Sequence, residues 1–116
     1  MGIQQVKTFV ARDVAEEHKK AAASQYRCAA GHALFAVYRL WQHYDGTREL
    51  LHPLVTIPPG DDRILINTNC DDCTLVYFET LRQAYERAGR KAALSDVLRT
   101  AIVWQAKAEG NIPNDY

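Results

Sequence analysis

Apolar residues recur at helical spacing along most of this chain, and the places where the rhythm changes mark its elements. Ala30, Leu34, Val37, Trp41 and Tyr44 fall on one stripe, and residues 28–44 are apolar on more than one side. Upstream, residues 13–25 are polar and alanine-rich, with Glu16, Glu17, Lys19 and Lys20 facing out. Asp13 followed by Glu16 has capping-box spacing. One long helix is therefore expected from Val14 to Tyr44, where Asp45-Gly46 supplies a stop. At 1.5 Å per residue it would reach about 45 Å. A break near Ser24 or Gly31 is the alternative.

The rhythm then changes. Leu50–Ile57 and Arg63–Asn69 are short, apolar and β-branched, and Pro58-Pro59-Gly60-Asp61-Asp62 lies between them. That texture predicts a β-hairpin. Two helices are expected to follow. Residues 73–88 carry Leu75, Phe78, Leu81, Tyr85 and Ala88 on one stripe, and Gly89 ends them. Ser95-Asp96 is expected to cap the next, whose stripe is Val97, Leu98, Ala101, Ile102 and Ala108, with Gly110 and Pro113 closing it. Residues 1–11 read as a short strand or a loose arm. The expectation is one α+β domain over 1–116, with a long N-terminal helix, a central short β-hairpin and a C-terminal αα-hairpin.

A length of 116 residues fits a single domain, and 47% hydrophobic with 24% charged residues are ordinary globular values. Fourteen basic and fourteen acidic residues cancel. That balance disfavours affinity for nucleic acid through phosphates alone, without excluding a local patch. The N-terminal residues lack the apolar stretch of a signal peptide, and no apolar run approaches bilayer-spanning length. A cytoplasmic protein without membrane contact is expected. An odd cysteine count, three, makes no disulfide framework.

Those cysteines raise one specific chemistry. Cys28 and His32 stand at i and i+4, on one helix face and off the Leu34 stripe, while Cys70 and Cys73 form a C-x2-C pair. A Cys3His set has the soft donors that tetrahedral zinc requires, and four closed protein ligands make such a site structural. Cys73 at a helix start adds the favourable end of the helix dipole for a thiolate. The competing reading is that the cysteines fill core space. A redox dithiol lacks the expected βαβ surround.

Residues 63–109 resemble the ribbon-helix-helix DNA-binding proteins: a short strand, a helix ending in Gly89, then Ser95-Asp96-Val97-Leu98-Arg99-Thr100-Ala101-Ile102 opening a second helix. In that family two strands pair across a dimer and lie in the DNA major groove. The resemblance implies base-reading side chains at Arg63, Leu65 and Asn67, and phosphate contact at the amides near Ser95. The chain departs from the pattern in its longer turn between Gly89 and Ser95, and in Asp61, Asp62, Asp71 and Asp72, which flank the strand with negative charge.

Other groups point less far. Arg82, Arg87, Arg90, Lys91 and Arg99 read as a solvated helix face. His43, Asp45 and His52 hint at acid–base chemistry, but spacing identifies no nucleophile with an adjacent base. Phe35, Tyr38, Trp41, Tyr44 and Tyr77 form an aromatic set of the kind enriched at interfaces. The expected function is thus a non-enzymatic binding or regulatory protein acting through a protein partner or a second copy (homodimer), with a zinc staple. A ribbon-helix-helix-like transcription regulator is the alternative, and a small enzyme using His with Asp or Cys is the third.

Overall fold

Alternation decides the first element. In the computed structural model, which describes residues 3–47 and 52–116, Gln4–Ala11 form a strand, β1. Val6, Thr8 and Val10 turn inward, while Gln5, Lys7 and Phe9 face solvent. Its partner is β2, Arg63–Cys70, in an antiparallel ribbon running from Gln4 opposite Cys70 to Ala11 opposite Arg63. Among the described residues this is the whole sheet.

The expected central hairpin is therefore corrected. Leu50 and Leu51 lie outside the described residues, and His52–Ile57 is not a strand. Pro53, Pro58 and Pro59 remove three amide donors from this part of the chain. Side chains hold the segment instead: Thr100 Oγ1 accepts from the Val55 amide at 3.0 Å, Arg99 Nε donates to the Val55 carbonyl at 2.7 Å, and Tyr85 donates its hydroxyl to the His52 carbonyl.

The expected long N-terminal helix is corrected as well. A strand precedes it, and it divides into α1 (Arg12–Ser24) and α2 (Ala29–Thr47), so α2 also runs past the stop expected at Asp45-Gly46. The break takes a left-handed cap at Tyr26, φ 58°, with the Arg27 amide donating to the Ala22 carbonyl at 2.8 Å. Cys28 then caps α2, its carbonyl accepting from the His32 amide and its Sγ from the Gly31 amide at 3.3 Å. Division lets Val14, Ala15, His18, Ala21 and Ala22 of α1 and the apolar stripe of α2 bury against the same core.

Helices α3 (Asp72–Arg87) and α4 (Leu94–Ala108) lie close to expectation. Asp71 caps α3 by accepting from the Thr74 amide at 2.8 Å. Gly89 takes the left-handed position after α3, φ 83°, and the Arg90 amide donates to the Tyr85 carbonyl at 2.8 Å. The cap of α4 falls at Ala93 rather than Ser95, because Asp96 Oδ2 accepts from the Ala93 amide at 2.9 Å and closes the first turn two residues earlier.

The order is thus β-α-α followed by β-α-α. The two units correspond closely inside: Val6 with Ile66, Thr8 with Thr68 and Val10 with Cys70 are all buried, and Arg12 and Asp72 each open a first helix. Tyr26 and Gly89 hold the same left-handed cap between helices. Helices α2 and α4 pack on each other, and α4 lies against β1 as α2 lies against β2. Each second helix thereby covers the other unit's strand. Ala33, Ala36, Val37 and Leu40 of α2 and Leu98, Ala101 and Ile102 of α4 are essentially inaccessible, and Phe78 and Leu81 join them from α3. Each fully buried large side chain contributes about 1.5–3 kcal/mol. No helix among the described residues is long and apolar enough to cross a membrane.

The paired caps predict opposite responses. A Cβ at Gly89 would meet nothing within 4 Å, so only backbone strain is at issue. Gly89→Ala is expected to lower stability by about 1 kcal/mol. Tyr26→Gly is expected to raise it by about half as much, since glycine's freedom in the unfolded chain offsets part of the gain. Urea midpoints at unchanged slope measure both.

Candidate nucleic-acid interface

A two-stranded ribbon covered on one face by helices presents the other face to solvent. Here the outer positions are Gln5, Lys7 and Phe9 on β1 and Leu65, Asn67 and Asn69 on β2. In register, Gln5 stands opposite Asn69, Lys7 opposite Asn67, and Phe9 opposite Leu65. Phe9 and Leu65 are 36% and 48% exposed, too open to be core. Arg63, opposite Ala11, is half-buried and lays its guanidinium 4.5 Å from the centre of the Phe9 ring. Amide, ammonium and apolar groups therefore sit side by side on one surface.

Buried polar contacts hold that surface from below. Arg99 is only 2% exposed, and its guanidinium donates to Thr8 Oγ1 at 2.9 Å, to the Val55 carbonyl and to Asp96. Burial pulls the Arg99 pKa down, and the Asp96 carboxylate opposes that shift. On the other strand, Thr68 donates to the Val6 carbonyl at 2.8 Å and lies 3.6 Å from Cys70 Sγ. One node ties β1 to α4 and the 52–57 segment, and the other ties the strands together. The outer side chains are carried on a fixed platform.

Of the residues implied as base readers, Leu65 and Asn67 are on the outer face, and Arg63 is turned onto Phe9. Ser95 is half-buried in the first turn of α4. Gln5, Lys7, Phe9 and Asn69 were not among the expected readers. The signal for β1 is the Val6-x-Thr8-x-Val10 alternation, which has strand period but no marker of a partner. Arg90 and Lys91 are exposed in the turn before α4 and make no ion pair with any described residue. They rim an open cleft of about 460 Å³ whose walls are Leu54, Val55, Ile57 and Arg99. Of the expected solvated basic face, Arg82 pairs with Glu79 and Glu86, while Arg99 is buried.

The four expected metal ligands occupy different settings. Cys28 is exposed at the α2 cap, Cys70 is buried at the end of β2, and Cys73 is exposed in the first turn of α3; all three are free thiols. Burial pushes the Cys70 thiol pKa up. His32 is wholly buried, with Arg27 Nη1 donating toward its Nδ1 and Glu109 Oε1 facing its Nε2, both at 3.4 Å. Among the described residues, no three His, Cys, Asp or Glu side chains form a group able to hold a metal.

The aromatic set lies along α2 and α3. Trp41 and Tyr77 approach to 4.8 Å between ring centres, Tyr38 meets both, and Phe35 stacks under the Arg27 guanidinium at 3.9 Å. Tyr44 packs half-buried against the core. His52 donates from Nδ1 to the Pro53 carbonyl and accepts from Lys107 at Nε2, 3.0 Å.

Buried histidines set a pH dependence. His18 is 2% exposed, its Nε2–H donates to the Ala29 carbonyl at 2.8 Å, and its ring lies 5.0 Å from that of His32. Burial lowers its pKa, and the neighbouring His32 lowers it further. His52 is lowered too, chiefly by burial. A group with a depressed folded pKa binds more protons unfolded, so its contribution is present above the unfolded value of about 6.5 and is lost as pH falls below it. The urea midpoint is expected to drop between pH 7.5 and pH 5, and less so in His18→Gln. An equal drop in both proteins would refute the assignment.

No family model, no curated protein and no solved structure matches the chain.

Proposed function

We propose that this chain binds duplex DNA by laying the outer face of its β1–β2 ribbon in the major groove. The observation that carries the proposal is the set Gln5, Lys7, Asn67 and Asn69, exposed together on a ribbon whose other face is fixed by the core. A major groove about 12 Å wide admits a two-stranded ribbon. Asn and Gln match the donor–acceptor pair on the adenine edge, Lys matches the guanine acceptors, and Phe9 and Leu65 suit the thymine methyl. Arg90 and Lys91, beside the first amides of α4, supply phosphate contacts at one flank.

The resemblance of residues 63–109 to ribbon-helix-helix proteins supports this reading, and so does the recurrence of β-α-α in residues 4–47. In that family the second strand comes from a second chain, whereas here it is β1 of the same chain. Zero net charge fits a binder that depends on base edges more than on phosphates. The acidic residues flanking β2 are partly occupied within the fold: Asp62 pairs with Arg12, and Asp71 caps α3.

On a duplex enriched from a randomised pool, Lys7→Ala and Asn67→Ala are each expected to lose about 10- to 100-fold in affinity with little effect on unrelated duplex. Arg90→Ala and Lys91→Ala are expected to weaken all duplexes alike, each reducing the salt slope by about one. Fluorescence anisotropy across a salt series reads both. Wild-type affinity in Lys7→Ala and Asn67→Ala would refute the ribbon as the reading surface.

A further inference from the structure

The two β-α-α units agree in their buried ribbon positions and differ in their outer ones. At corresponding buried ribbon positions the residues match in kind: Val6 with Ile66, and Thr8 with Thr68. At corresponding outer positions none matches: Gln5 with Leu65, Lys7 with Asn67, and Phe9 with Asn69. A ribbon made of two identical chains would carry the same side chain at both members of each pair. This one carries six outer positions without a symmetric repeat.

The antiparallel register then gives the surface a direction. Gln5 and Asn69 face each other at one end, Lys7 and Asn67 in the middle, and Phe9 and Leu65 at the other end with Arg63 over Phe9. The first end offers hydrogen bonds to base edges, and the last offers apolar contact. The flanks differ in the same way. Arg90 and Lys91 stand before α4 with no ion pair to any described residue, whereas in the first turn of α2 the Gly31 amide is taken by Cys28 Sγ. Arg27 donates to Gln25 at 2.6 Å and covers Phe35. Among the described residues, only the α4 start has exposed cations without an ion pair to meet a phosphate.

Resting on the DNA-binding reading above, we infer that the ligand is a non-palindromic duplex bound by a single copy of the chain in one orientation. Its bases at the Gln5–Asn69 end are recognised by hydrogen bonds, and at the Phe9–Leu65 end by the 5-methyl of thymine. A palindrome presents identical base edges to two unlike half-surfaces, so one half of it is always mismatched.

Selection of full-length protein on a randomised duplex pool tests this. The expected result is an asymmetric motif bound 1:1 by sedimentation. Deoxyuridine in place of thymidine, which deletes the methyl, should weaken binding about 4-fold at one end only, the worth of one buried methyl. Phe9→Ala should abolish that methyl dependence and Gln5→Ala should preserve it; both positions face solvent, and circular dichroism confirms the fold. A palindromic motif bound 2:1, or methyl dependence at both ends, would overturn the inference and leave DNA binding intact. Enrichment of no motif would overturn DNA binding itself.

Discussion

The fold depends on one non-local contact, the antiparallel pairing of β1 with β2. Neither strand can stand alone, since a single strand leaves its backbone groups unpaired and an isolated hairpin is marginal in water. Pairing creates an inner face of Val6, Thr8 and Val10 beside Ile66, Thr68 and Cys70, on which α2 and α4 can bury their stripes. Because each second helix covers the other unit's strand, neither β-α-α unit has a complete core by itself. The two halves are one cooperative object.

Polar groups within this core tune it rather than weaken it. Arg99 is a long cation among apolar neighbours, which is costly unless every donor finds a partner. It finds Asp96, Thr8 and the Val55 carbonyl, and so stitches helix, strand and an irregular segment at one point. The 52–57 segment is tied down without a strand partner, because side chains of α3 and α4 bond its backbone at His52 and Val55. What this framework leaves outside is six outer side chains on the ribbon, with Arg90 and Lys91 exposed at one flank.

Much of the helical half was legible from period alone. Stripes in residues 73–88 and 97–108 are long and regular, and Gly89 marks the turn, so α3 and α4 fall close to expectation. The break after α1 falls at Ser24, one of the two places expected, though its left-handed residue is Tyr26, where sequence offers no glycine. Strand partnership is hardest. Periodicity says that Arg63–Asn69 is a strand but not whether it pairs with the chain just before it or with residues 4–11. Prolines argue against the local partner, and only the fold supplies the distant one. Cys28 and His32 share helical spacing as expected, yet Cys28 is used to end a turn and His32 is drawn inward by Arg27 and Glu109. Spacing fixes which residues are neighbours along a helix, not which way the helix is rolled. For the candidate interface, half was legible, since β2 carries Leu65 and Asn67, while the β1 half awaited its pairing.

The distance in sequence between β1 and its partner β2 has a consequence for biosynthesis. During translation Val6 and Val10 emerge before their partner strand, which is made only after both helices of the first unit. At about 5–20 residues per second, the ribosome takes several seconds to bridge that interval. Through it, the nascent chain carries a bare strand edge and two helices whose apolar stripes have nothing to cover. The core closes only once β2 and the helices after it, α3 and α4, have left the exit tunnel and can pack on the first unit.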